Sequence, residues 1–120
     1  YEAVIARDVE RYLPFLSTTT LLMEAVQKGA GREQAHETIK EHAVATALSL
    51  REGQPENDLP NRLADDTRFP LSSAEIKSVL ERSRSLTGLA RHQVDQFTRA
   101  ADTLVKQHPE ALEIKKGRLL

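Results

Sequence analysis

The chain has 120 residues, enough for one domain with a modest core. Its apolar fraction of 39% and charged fraction of 29% are those of a soluble globular protein, and a net charge of -1 gives no basic excess for binding a nucleic-acid duplex. The lack of cysteine excludes a disulfide framework, a thiolate zinc site and a cysteine nucleophile, and fits a reducing compartment.

Glycine and proline punctuate the chain, and between them apolar residues recur at intervals of three and four. Sustained apolar–polar alternation is missing, so every element reads as helix. The first helix spans about Tyr1 to Leu13, carries Val4, Ile5, Val9, Tyr12 and Leu13 on one side, and is expected to break at Pro14. The second spans about Thr18 to Lys28, capped by Ser17 or Thr18, with Leu21, Leu22, Ala25 and Val26 as its buried stripe. The third and longest runs from about Arg32 to Glu52. Ala35, Ile39, Ala43, Ala47 and Leu50 line one face, with Val44 and Leu48 beside them. Gly53 then suits a left-handed C-terminal cap.

Glu56-Asn57-Asp58 offers an acidic cap to a short helix over about Leu59 to Asp65, where Pro60 lies early enough to be tolerated. Ser72 and Glu75 have capping-box spacing and begin a fifth helix, about Ser73 to Ser83. After the turn at Leu86-Thr87-Gly88, a sixth helix covers about Ala90 to Gln107 and is expected to bury Val94, Phe97, Ala101, Leu104 and Val105. Residues 110–120 are polar up to two final leucines, and are expected to fray or to dock on a partner. The expected architecture is all-α: one compact bundle of about six helices forming a single domain over residues 1–120. The start at Tyr1, inside a helical pattern, suggests a piece of a longer chain.

His36-Glu37 invites a zinc reading, but a helical zinc site needs its second histidine four residues after the first. His42 comes six residues on, which leaves the two rings about 120° apart around the helix. Acid–base work by His36 with Glu37 is disfavoured because adjacent helical side chains diverge; Glu33 and Lys40 are its better neighbours. The serines at 72–73 and 83–85 read as caps and turns, and no glycine-rich phosphate loop is present. Asp65-Asp66 reads as the acidic end of a short helix held by Arg62 and Arg68, since carboxylates there oppose the helix dipole. Lys115, Lys116 and Arg118 are too few for nucleic acid, and no apolar run approaches the roughly 20 residues of a membrane span.

Several motifs recur here in a familiar order: Ile5-Ala6-Arg7, then Leu13-Pro14-Phe15, a threonine-containing helix start, and Met23 in an apolar helix. Arg32, His36-Glu37 and Ile39 follow, then Asn57-Asp58-Leu59 with Arg62 and Asp66, the Thr87-Gly88 turn, Gln93-Val94 and Phe97. Over nearly its whole length the chain resembles the C-terminal helical domain of the adenylosuccinate lyase family, within the fumarase/aspartase superfamily. It departs from the pattern at Ser17-Thr18-Thr19, where the family often has Ala-Thr-Glu or Ala-Thr-Thr, and around Arg91-His92, where a proline is common.

The resemblance implies a C–N lyase that eliminates fumarate from adenylosuccinate, giving AMP, and from the succinylated carboxamide ribotide SAICAR, giving AICAR. It implies a cytoplasmic homotetramer with active sites where subunits meet. The partners would be identical subunits and the remainder of the same chain, without nucleic acid, membrane or cofactor. The superfamily's base lies on a loop reading roughly Ser-Ser-x-Met-x-x-Lys-x-Asn, and no stretch here matches it: Met23 follows two leucines. No residue of this chain is therefore assigned a catalytic, substrate-binding or metal-binding role. Arg32, His36, Glu37, Asp58, Arg62 and Asp66 are expected to be structural positions of the family motif. The alternative is an independent helical interaction module sharing the same pattern.

Overall fold

The computed structural model describes residues 1–110. Among them are six α-helices and no strand: α1 (Glu2–Leu16), α2 (Thr18–Gln27), α3 (Arg32–Arg51), α4 (Leu59–Asp65), α5 (Ser73–Ser83) and α6 (Ala90–Gln107). The all-α expectation holds. The expectation for the tail falls almost entirely on residues 111–120, outside the described residues.

The first compact unit, Tyr1–Leu86, holds α1 to α5. Its core joins Leu21 and Ala25 of α2, Ala35 and Ile39 of α3, Leu59 and Leu63 of α4, and Ile76 and Val79 of α5. Phe69 and Leu71, in the connection between α4 and α5, complete it. Leu21, Leu59 and Leu63 lose all contact with solvent, so burial of these side chains supplies much of the unit's stability. α2 packs on α3, α3 on α4, α4 on α5, and α5 back on α2, which closes the ring.

Two glycines end helices as their sequence positions suggest. Gly29 and Gly53 have φ of 99° and 103°. After α3, Gly53 N–H reaches the Leu50 carbonyl and Gln54 N–H the Ser49 carbonyl, the paired bonds of a Schellman cap. At α5 the expected capping box is complete: Glu75 N–H donates to Ser72 Oγ, and Ser72 N–H donates to the Glu75 carboxylate at 2.8 Å.

Several expectations fail. α1 does not break at Pro14 but runs through it to Leu16. Pro14 lies in the last turn, where the missing N–H costs one helical bond, and its ring is buried in return. Neither Ser17 nor Thr18 caps α2 with its side chain. Ser17 Oγ donates to the Leu13 carbonyl at 2.8 Å, and Thr18 Oγ1 to the Phe15 carbonyl at 2.8 Å. One residue separates the end of α1 from the start of α2, and both hydroxyls turn back onto carbonyls of α1; the Leu13 carbonyl accepts Ser17 N–H at 2.9 Å as well.

Val26 of α2 is exposed, and so are Val44 and Leu48 of α3. The buried face of α3 instead includes Thr38 and Thr46. Asp58 stands at the cap position of α4 but makes no capping bond; Asn57 Oδ1 accepts from Leu59 N–H at 3.1 Å in its place. α6 has its expected bounds, but it buries no side chain: Val94, Phe97 and Leu104 are 63%, 76% and 60% exposed. Amphipathic spacing marks a face that favours cover, without saying what covers it.

Candidate functional site

The motif residues separate into two groups. Arg32, His36 and Glu37 lie on the first half of α3 and are exposed. Arg32 occupies the first turn, where a cation gains nothing from the helix dipole. Glu37 pairs with Lys40 at 3.1 Å, one turn further along. Lys40, one of the two better neighbours expected for His36, is thus committed to Glu37. His36 lines a small groove of about 230 Å³ with Thr18, Thr19 and Leu22 of α2 and Lys40 of α3.

Asp58, Arg62 and Asp66 flank or lie on α4, and all three carry polar ties. At its start, Asp58 Oδ1 accepts from Thr46 Oγ1 at 2.7 Å, and Asp58 Oδ2 pairs with Arg62 Nε at 2.7 Å. Burial raises the Asp58 pKa, but the Thr46 hydroxyl and the Arg62 guanidinium outweigh it and hold the carboxyl below its ordinary value. Thr46 is fully buried, so Asp58 supplies the partner its hydroxyl needs. Arg62 Nη2 also reaches Ser49 Oγ at 3.5 Å. Arg62 therefore pairs backwards with Asp58, not forwards with Asp65 and Asp66 as expected. Both directions are one helical turn away; Arg68 already occupies the Asp66 carboxylate, while Asp58 lies within reach of Arg62 Nε.

At the other end, Asp66 Oδ2 meets His42 Nε2 at 2.7 Å, with side chains 11% and 18% exposed. Arg68 Nε and Nη2 donate to the same carboxylate at 3.0 Å and 2.6 Å, and Arg68 N–H donates to Oδ1 at 2.8 Å. Arg68 first, and His42 second, hold the Asp66 pKa far below the carboxylate range. An ionised Asp66 can only accept, so His42 Nε2 carries the proton between them. Arg68 also reaches Glu41 at 2.9 Å. The Asp66–Arg68 half of the expected acidic cluster is present; His42 is the member missed.

A His–Asp pair can orient a general base, but here Arg68 already saturates the carboxylate. The arrangement behaves as a strut. Asp58 with Thr46 and Asp66 with His42 tie the two ends of α4 to α3, eight residues and roughly two helical turns apart. Among the described residues, no group of three or more His, Asp or Glu side chains is placed to hold a metal ion. No helix among them is long and apolar enough to cross a membrane.

The sequence offers a signal for Thr46. Ala35, Ile39, His42, Thr46 and Leu50 follow one helical face at intervals of four, three, four and four. A polar residue on such a face implies a partner. Nothing local names that partner, because Asp58 and Asp66 lie beyond the turn at Gly53.

Residues 14–107 match the family described as Adenylosuccinate lyase C-terminus. The chain is 36% identical over 97 residues to the adenylosuccinate lyase of Saccharomyces cerevisiae, which covers 81% of this chain and 20% of that protein. Over 97 residues it is 29% identical to the adenylosuccinate lyase of Schizosaccharomyces pombe, again 81% of this chain and 20% of the relative. With the Schistosoma mansoni adenylosuccinate lyase it shares 26% identity over 119 residues, 98% of this chain and 25% of the relative. The chain thus spans a fifth to a quarter of the length of these relatives. With the family match extending from α1 into α6, the chain belongs to the adenylosuccinate lyase C-terminal family.

Proposed function

We propose that the chain is the C-terminal structural domain of an adenylosuccinate lyase. The full-length protein would eliminate fumarate from adenylosuccinate, giving AMP, and from SAICAR, giving AICAR. The observation that carries this is the family match over residues 14–107. The use of the motif residues supports it: Asp58, Arg62 and Asp66 are spent on ties to one another or to α3. β-Elimination needs a base beside a carboxylate and an acid at the leaving nitrogen, held together around the substrate. His36 supplies neither the second group nor a clamp for two carboxylates, and His42 is turned onto Asp66. In this reading the catalytic serine loop comes from another segment. The protein acts as a cytoplasmic homotetramer, its partners being identical subunits and the remainder of its own chain, without cofactor, nucleic acid or membrane.

The test is a fumarate-release assay on the purified 120-residue chain beside its full-length parent. The parent is expected to turn over adenylosuccinate and SAICAR, and the short chain neither. Turnover by the short chain near the parent's rate would overturn the structural role. A parent inactive on both substrates would overturn the lyase assignment.

A further inference from the structure

Arg82, Arg84 and Thr87 form an Arg-x-Arg-x-x-Thr run that leaves the last turn of α5 and enters its connection to α6. Residues 84–89 lie outside both helices. Thr87 is exposed, and its carbonyl accepts Ala90 N–H at 3.2 Å, where Gly88 at φ 57° turns the chain into α6. Arg82 pairs with Glu24 at 2.7 Å and Arg84 with Glu10, with the arginine side chains 59% and 41% exposed. Ion pairs this open contribute little, so another carboxylate can take either arginine.

We propose that Thr87 is a phosphorylation site for an arginine-directed serine/threonine kinase. Such an enzyme takes its substrate as an extended segment and sets carboxylates against cations upstream of the acceptor. Arg84 stands three residues before Thr87 and Arg82 five, and in an extended chain the two project to one side. Planar guanidinium groups meet carboxylates through paired hydrogen bonds, which suits both positions to that role. Ser85 also follows an arginine by three residues, but its hydroxyl donates to the Arg82 carbonyl at 2.8 Å and its N–H to the same carbonyl at 3.1 Å. Extending Arg84 to Thr87 opens only turns beyond α5, whereas seating Ser85 with Arg82 upstream also unwinds the end of the helix. In the reaction Thr87 Oγ attacks the γ-phosphorus of Mg-ATP. The bond from that phosphorus to the bridging oxygen breaks, ADP leaves with the electron pair, and the kinase's catalytic aspartate takes the hydroxyl proton. The product bears on α6. No side chain caps that helix and its first turn holds no acidic residue, so its leading N–H groups present uncompensated positive partial charge. Thr87 lies two residues before the N-cap Leu89 and four before Arg91, and a phosphate there adds about two negative charges beside them.

The test treats the 120-residue chain with Mg-ATP and an active kinase that selects arginine three and five residues before its acceptor, and maps the product by tandem mass spectrometry. A single phosphate on Thr87 is expected. Arg84→Ala is expected to slow its incorporation about tenfold or more, and Arg82→Ala by less. Both arginine side chains are exposed, so the variants should keep the parent's circular dichroism. A kinase that requires proline after the acceptor is expected to leave Thr87 unmodified, since Gly88 follows it. On the phosphorylated chain, amide hydrogen exchange over residues 90–93 is expected to slow about threefold. A chain left unmodified, a phosphate on Ser85 with Thr87 untouched, or a rate indifferent to Arg84→Ala overturns the proposal. Unchanged exchange at the start of α6 overturns the effect on that helix.

Discussion

α4 and α6 use helical amphipathicity in opposite ways. α4 has seven residues, too few to persist alone in water, yet Leu59 and Leu63 are fully buried and its ends are tied to α3. α6 has eighteen residues and a cleaner apolar stripe, yet buries nothing. Length and pattern therefore predict that a helix exists, but not whether its neighbours cover it. The short helix owes its order to tertiary contacts.

Truncation should produce the largest contrast. Leu63→Ala opens a cavity in the core cluster of the first unit, and is expected to cost about 2–5 kcal/mol. Phe97→Ala removes a larger side chain, yet is expected to change the stability of the monomer by no more than about 0.5 kcal/mol. Urea denaturation of dilute protein measures both. A Phe97→Ala cost comparable to that of Leu63→Ala would mean that α6 is packed in solution, and the contrast would collapse.

The next largest effect concerns the polar ties. Arg62→His is expected to cost about 1–2 kcal/mol, because the shorter, mostly neutral ring loses the ion pair with Asp58 and the reach to Ser49. Partial exposure of the pair keeps the figure low. In the full-length protein, thermal stability or tetramer content should fall before intrinsic turnover does. Differential scanning calorimetry beside the fumarate assay separates the two; native stability with greatly reduced turnover would give Arg62 a catalytic role. Ser72→Ala is smaller, about 1 kcal/mol, since it removes one exposed helix cap. An unchanged denaturation midpoint would mean that α5 is held by its core face alone.

Local signals were legible in the sequence and long-range ones were not. The bounds of α4, α5 and α6, the capping box at Ser72 and the glycine cap at Gly53 follow from residue types within a few positions of each other. Pro14 misled because a proline in a final turn costs less than one in a helix interior. Arg62 misled because spacing gave it carboxylates on both sides, and Arg68 already occupies Asp66. His42 shows in the sequence only as the wrong half of a zinc pair, because its partner Asp66 is 24 positions away. The motif itself was readable, since family membership rests on order and spacing along the chain.

The smallest expected effect is a pH dependence confined to the first unit. Asp58, Asp66 and Glu75 are all held below their ordinary values, and all lie before Leu86. Glu75 is lowered from 4.5 to about 2, chiefly by Lys28 at 2.7 Å and then by Ser72. A depressed folded-state pKa means that the unfolded chain takes up the proton first as acid is added. The contribution of Glu75 is therefore complete above about pH 4.5 and is lost as pH falls towards about 2. Glu75→Gln keeps an amide oxygen that can accept from Ser72 N–H but removes the charge facing Lys28. The variant should be slightly less stable than the parent at pH 7, with the two curves converging as pH falls towards 2. Added salt should shrink the gap at neutral pH, because the pair is exposed. Urea midpoints across pH 2–7 test this. Parallel curves would mean that Lys28 and Glu75 meet without coupling, and that the link between α2 and α5 rests on Leu21, Ala25, Ile76 and Val79 with the Glu24–Arg82 pair.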